Sequence, residues 1–160
     1  MKKHTISVLV ENRFGVLAHI SGLFSARGFN IDSLAVGETE DPTISRMTIV
    51  VSGDDRTLEQ VTKQLNRLID VIRVEDLSNR DFIDRELLLF KIETTSKNKD
   101  EVKKILKETS AKIIDERESI LTVEVSGSKE DINTLFERLA KYKIKELVRT
   151  GRIALAKEKE

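Results

Sequence analysis

The chain has 160 residues, of which 39% are hydrophobic and 35% charged, enough for one ordinary domain or two small ones with a highly charged surface. Basic and acidic side chains balance at 28 each, so no charge excess points to nucleic acid or an anionic membrane as a partner. Cysteine is absent, which excludes a disulfide framework, a thiolate nucleophile and a sulfur metal site; no apolar run is long enough for a transmembrane helix.

Taken in order, MKKHTISVLV contains no cleavable apolar segment, so a cytoplasmic location is expected. Ile6, Val8 and Val10 alternate with polar residues and predict a half-buried strand over Thr5–Glu11. Val16, Leu17, Ile20, Leu23 and Phe24 recur at helical spacing, predicting a helix from Gly15 to Arg27 that stops at Gly28. Asn12 to Gly15 then form a strand-to-helix turn. Such a turn leaves the first N–H groups of the helix unpaired beside the positive end of its dipole, a fitting place for a carboxylate. Gly15 allows close approach to the backbone, and the Asn12 amide is able both to donate and to accept.

Strands follow at Ile31–Gly37 and Ile44–Ser52, around a polar loop holding the only proline, Pro42. Asp54 or Asp55 can cap a helix presenting Leu58, Val61, Leu65 and Leu68, and Val71–Val74 closes the unit. The order is β-α-β-β-α-β, the ferredoxin-like arrangement. Residues 77–85 read as a polar linker. The pattern then repeats over 86–160. A strand is expected at Leu87–Thr94, and a helix with Val102, Ile105 and Leu106 behind a capping-box spacing at Asn98-x-x-Glu101. Two strands, Ile113–Glu116 and Ile120–Val125, flank a turn at Glu118-Ser119, and a helix capped by Ser128 presents Ile132, Leu135, Phe136 and Leu139. Ile144–Val148 is the last strand, and residues 157–160 are expected to fray. The fold class is therefore α+β: two ferredoxin-like βαββαβ units, 1–76 and 86–160, each an antiparallel sheet with helices on one face.

Three function classes fit that topology. An RNA-binding module needs aromatics on its central strands, and Ile6, Val8, Val10, Met47, Ile49 and Val51 occupy those positions instead. An enzyme lacks a nucleophile–base pair that spacing would unite. His4 and His19 are the only histidines, so no His-based metal site is expected, and adjacent Asp54 and Asp55 read as capping residues rather than catalytic carboxylates. Arg46 is expected to have an exposed structural role, and the lysines between 97 and 107 to form a solvated helix face. A binding and regulatory module remains. Spacing alone leaves Asn12, Gly15 and Asn30 as ordinary turn residues.

The run VLVENRFGVLAHISGLFSARGFNIDSLAVGETEDPTISRMTIVVSGDD adds more. Its signatures EN-x-x-G-x-L, GLFS-x-RG-[FY]-NI-[DE]-SL and DPT-[IL]-SRMTI resemble the N-terminal ACT domain of the small regulatory subunit of acetolactate synthase (acetohydroxyacid synthase). The similarity continues more loosely to the C-terminus. It implies an effector-binding and dimerising ACT domain, then an ACT-like domain, with two ACT domains joining their sheets across a two-fold axis. It also implies that valine or a related amino acid binds between subunits. Its carboxylate would meet the backbone of Phe14, Gly15, Val16 and Leu17, beside Asn12 and Arg13, and the second chain would add Asn30 and Ile31. No catalytic or metal site is implied in this chain; thiamine diphosphate, magnesium and FAD are expected on the catalytic (large) subunit that it regulates. A stand-alone amino-acid sensor acting on another partner is the alternative.

Overall fold

A computed structural model describes residues 2–158. Lys159 and Glu160, within the tail expected to fray, lie outside the described residues. The elements are β1 (Lys2–Glu11), α1 (Val16–Ala26), β2 (Asn30–Glu38), β3 (Ile44–Gly53), α2 (Asp55–Leu65), β4 (Val71–Asp76) and β5 (Phe82–Glu93). They continue with α3 (Lys99–Glu108), β6 (Lys112–Glu116), β7 (Ile120–Gly127), α4 (Lys129–Arg138), β8 (Ile144–Arg149) and β9 (Ile153–Ala156). The chain divides into two compact units: one runs up to Ile83 and includes the segment from Arg152 onward, and the other is Asp84–Gly151.

In the first unit the sheet order is β2-β3-β1-β4, all neighbours antiparallel. Ile6, Val8 and Val10 of β1 and Met47, Ile49 and Val51 of β3 face the helices, which return Val16, Ile20 and Phe24 from α1 and Leu58, Val61 and Leu65 from α2. These periods, two along the strands and three to four along the helices, are what bury one face of each element. Phe24 is fully buried and meets Phe29 edge-on at 6.1 Å. Truncation to Ala there is expected to cost about 3–5 kcal/mol. Asp54 caps α2 by accepting from the Thr57 amide at 2.8 Å, and Gly28 follows α1 in a left-handed conformation, φ 74°.

The second unit repeats the topology with sheet order β6-β7-β5-β8. Leu88, Phe90 and Ile92, with Leu121, Val123 and Val125, pack against Val102, Ile105 and Leu106 of α3 and Ile132 and Leu135 of α4. Ser128 and Asp131 form the reciprocal capping box of α4. At α3 the expected box is not made. Asn98 turns its side chain back to accept from the Thr95 amide at 2.7 Å, because residues 95–98 already form a tight turn with Asn98 N–H bonded to Thr95 O.

Three boundaries differ from the sequence reading. The connection between units is shorter than 77–85: β5 begins at Phe82, and Leu77 is fully buried with its N–H on Thr5 O. The segment from Arg152 groups with the first unit by its contacts, although β9 also pairs with β5. β9 crosses the face of the first sheet opposite the helices, where the Arg152 N–H donates to Ser33 Oγ at 3.0 Å and the Ala154 N–H to Thr48 Oγ1 at 3.3 Å. Thr5 and Ser7, on the polar side of the strand expected to be half-buried, are consequently buried, as is Thr48 of β3. Lys157 is also held, its N–H donating to Asp81 O at 2.8 Å, so the fraying expected from 157 does not begin there.

If the Ala154 contact fastens β9, Ala154→Glu, which forces a charge into a buried position, should sharply raise amide exchange across 153–156. Ile153→Lys, at an exposed position of the same strand, should leave it unchanged. Hydrogen exchange read by mass spectrometry checks both; equal exchange in the two variants would mean that β9 is not held by this contact.

Candidate functional site

The site is built from the end of the central strand β1. The Glu11 N–H donates to Asp70 O at 2.8 Å on the β4 side, and the Asn12 N–H to Thr43 O at 2.7 Å on the β3 side. Two bonds in opposite directions stop the strand there and launch the chain over the sheet. Gly15 then takes φ 83°, a conformation that L side chains rarely adopt, and serves as the N-cap of α1 without any side-chain cap. The first helical bond described is His19 N–H to Gly15 O, so the preceding amides at the start of α1 are free for an anion.

The predicted residues on this turn have different duties. Val16 is buried, so its backbone N–H alone can serve a ligand. Leu17 is partly exposed, and Phe14 is fully exposed at 102%. Arg13 points to carboxylates of its own chain, 2.6 Å from Glu11 Oε2 and 3.9 Å from Asp70 Oδ1. Asn12 donates through Nδ2 to Glu38 Oε1 at 3.2 Å and to Pro42 O at 3.0 Å. Both donor hydrogens are thus engaged within the chain, which leaves Oδ1 as the open acceptor. Beside the turn lies an open cavity of about 550 Å³ lined by Asn12, Arg13, Pro42, Thr43 and Ile72, among others.

Glu38 and Pro42 were not legible as site residues, because a contact between residues 26 and 30 positions apart leaves no local pattern. The loop that carries Pro42 is itself fastened. Asp41 accepts from the Thr43 hydroxyl at 2.6 Å and the Thr43 amide at 2.9 Å, and these bonds hold its carboxyl below the usual carboxylate range. Thr39 N–H to Ile44 O closes the loop.

Asn30 and Ile31 lie elsewhere. Asn30 opens β2 opposite Ser52, whereas Glu38, which holds Asn12, ends the same strand opposite Ser45. Eight residues of extended chain separate the two ends, roughly 25 Å at about 3.3 Å per residue. One chain therefore does not bring Asn12 and Asn30 together. Asn30 donates through Nδ2 to Asp32 Oδ1 at 2.7 Å, and Ser52 Oγ donates to Asp32 Oδ2 at 2.7 Å. The Ser52 hydroxyl, then Asn30, keep the Asp32 carboxyl ionised to lower pH than usual. Ile31 is half-buried against the core.

The histidines and Arg46 take structural parts. His4 is fully buried with Nε2 3.2 Å from Gly53 O, and His19 is exposed. Arg46 donates to Ser7 Oγ at 3.0 Å and is partly buried rather than free on the surface. Among the described residues no group of three His, Asp or Glu side chains could hold a metal ion, and no helix is long and apolar enough to cross a membrane.

Known proteins resemble this chain in sequence and in fold. Residues 6–73 match the AHAS small subunit-like ACT domain family, and residues 85–158 match the family described as small subunit of acetolactate synthase. The acetolactate synthase small subunit of Aquifex aeolicus is 45% identical over 99% of this chain and 83% of its own length. A probable acetolactate synthase small subunit of Methanothermobacter thermautotrophicus is 48% identical over 96% of this chain and 92% of its own. The crystal structure of the acetolactate synthase small subunit from Thermotoga maritima superposes with a TM-score of 0.88 at 33% identity, over the full length of both chains. The chain belongs to the acetolactate synthase small-subunit family, with an ACT domain as its first unit.

Proposed function

We propose that the protein is a non-catalytic regulatory subunit. In this reading it binds valine or a related branched-chain amino acid between two copies of itself and thereby controls a separate catalytic subunit. That larger partner carries the thiamine diphosphate, magnesium and FAD chemistry. The observation that carries the reading is the separation of Asn12 from Asn30 along β2, an edge strand of the first sheet. Open strand edges are templates for pairing, and a two-fold axis makes two β2 strands run antiparallel. With that axis at Leu34, the middle of β2, residue 30 of one chain would come beside residue 38 of the other, hence beside the Asn12 that Glu38 holds.

The chemistry at the two ends is complementary to an amino acid. The amides at the start of α1 suit its carboxylate. Asn12 and the partner's Asn30, whose donor groups lean on Glu38 and Asp32, offer acceptor oxygens to its ammonium group. The partner's Ile31 supplies apolar surface for a branched side chain. A site completed by two chains ties occupancy to dimer geometry, which a catalytic partner senses only if its affinity differs between the two geometries.

Two experiments test this. A Cβ at Gly15 meets no atom within 4 Å, and Asp tolerates the left-handed conformation better than most residues, so Gly15→Asp should stay folded. Its carboxylate would occupy the anion position, so isothermal titration should detect no valine binding, with circular dichroism unchanged. Wild-type valine affinity in that variant would move the anion site elsewhere. Separately, the purified chain given pyruvate, thiamine diphosphate and magnesium should make no acetolactate. Added to its cognate catalytic subunit, it should raise activity and confer valine sensitivity. Turnover by the chain alone would overturn the regulatory reading.

A further inference from the structure

The second unit rebuilds the end of β1 with different chemistry. In the first unit Glu11 N–H bonds Asp70 O and Asn12 N–H bonds Thr43 O; in the second, Glu93 N–H bonds Lys143 O at 2.9 Å and Thr94 N–H bonds Ser119 O at 2.8 Å. Each pair clamps the end of the central strand between the start of its fourth strand and the loop before its third. Position by position, Thr94 stands for Asn12, Ser119 for Thr43, and Lys143 for Asp70.

A cavity of about 390 Å³ lies at this second clamp, lined by Thr94, Thr95, Ser119, Lys141, Lys143 and Lys145 together with Glu93 and Tyr142. Its charge is unlike that of the first clamp. Glu93 is satisfied by Lys143 at 3.0 Å, and Lys141 bonds Glu101 at 2.6 Å while lying 5.2 Å from the centroid of the Tyr142 ring. With Lys141 and Lys143 paired in this way, Lys145 is the lining cation beyond those two ion pairs. At its wall Thr94 is 4% exposed, and its Oγ1 has no hydrogen-bond partner among the described residues. A buried hydroxyl without a partner is uncommon, and at a cavity rich in lysine it is a donor for an acceptor that the protein itself does not supply.

We propose that this cavity in the second unit binds a small oxyanion, a phosphate or a carboxylate, through Lys145 and the Thr94 hydroxyl, with the paired Lys141 and Lys143 beside them. The site is independent of the amino-acid site in the first unit. It does not use the free end of a helix: residues 95–98 close on themselves before α3, so the lysines and Thr94 supply the recognition.

The test is a titration of the full-length, ¹⁵N-labelled chain with sodium phosphate and, in a second arm, with sodium acetate. Ionic strength is held constant with chloride. Saturable amide shifts are expected at 93–98, 119–120 and 142–145, whether or not residues 12–17 also respond. Response to phosphate alone assigns a phosphate ligand, and response to acetate, alone or with phosphate, assigns a carboxylate. Lys145→Gln and Thr94→Val should each weaken binding tenfold or more. Without the anion, Thr94→Val should melt no lower than the parent, because an isosteric methyl replaces an unpaired hydroxyl. No saturable shift with either anion would overturn the site, as would parent-like affinity in both variants.

Discussion

The site depends on a double clamp at the end of the first central strand, with Glu11 bonded to Asp70 on one side and Asn12 to Thr43 on the other. It fixes where β1 ends and therefore where the turn carrying Gly15 leaves the sheet. From there the direction of α1 follows, with Val16, Ile20 and Phe24 pulled onto the core. Asn12 is further tied to Glu38 and Pro42, so its amide is set before any ligand arrives. A preset polar group loses less freedom on binding than a mobile one, which favours affinity without new contacts.

The same clamp holds Asn12 far from Asn30 within a single chain. Asn12 is held at one end of β2 and Asn30 starts the other, and no bending of a strand ladder closes about 25 Å. In the proposed reading, completion by a second copy would convert a chemical event, capture of an amino acid, into a mechanical one, the fixing of two sheets edge to edge. The C-terminal strand β9 bears on this from the far face. Arg152, just before it, bonds Ser33 of β2, its Ala154 bonds Thr48 of β3, and Leu155 lines a cavity of about 520 Å³ together with Leu9, Arg46 and Glu38. The residue that orients Asn12 is thus also a neighbour of the last strand.

Much of this was legible in the sequence. The alternation of Ile6, Val8 and Val10 and the helical spacing of Val16, Ile20 and Phe24 gave the first unit, because burial on one face leaves a period in the residue types. Asp54 and Ser128 announced their helices through side chains that act within three residues. What depended on distant partners was hidden. Nothing near Asn98 says that its side chain will accept from Thr95 instead of forming a box with Glu101. The β9 segment is four residues long and lies far in sequence from the sheet it covers, so the hydroxyls of Thr5 and Ser7 looked like solvent-facing positions. The motif residues of the turn could be named from family resemblance, but not that both amide hydrogens of Asn12 are spent on Glu38 and Pro42.

The central claim, one effector site made from two chains, is tested most directly with mixed dimers. A dimer pairing an Asn12→Ala chain with an Asn30→Ala chain has one site with both residues intact and one lacking both. Each mutant homodimer has two half-damaged sites, weakened about ten- to a hundredfold if each residue makes a charge-assisted hydrogen bond worth roughly 1.5–3 kcal/mol. Valine titrated by calorimetry into purified, dual-tagged heterodimers should bind at about half the wild-type stoichiometry with near wild-type affinity. If the heterodimer binds no better than either mutant homodimer, the two residues do not share a ligand across the interface.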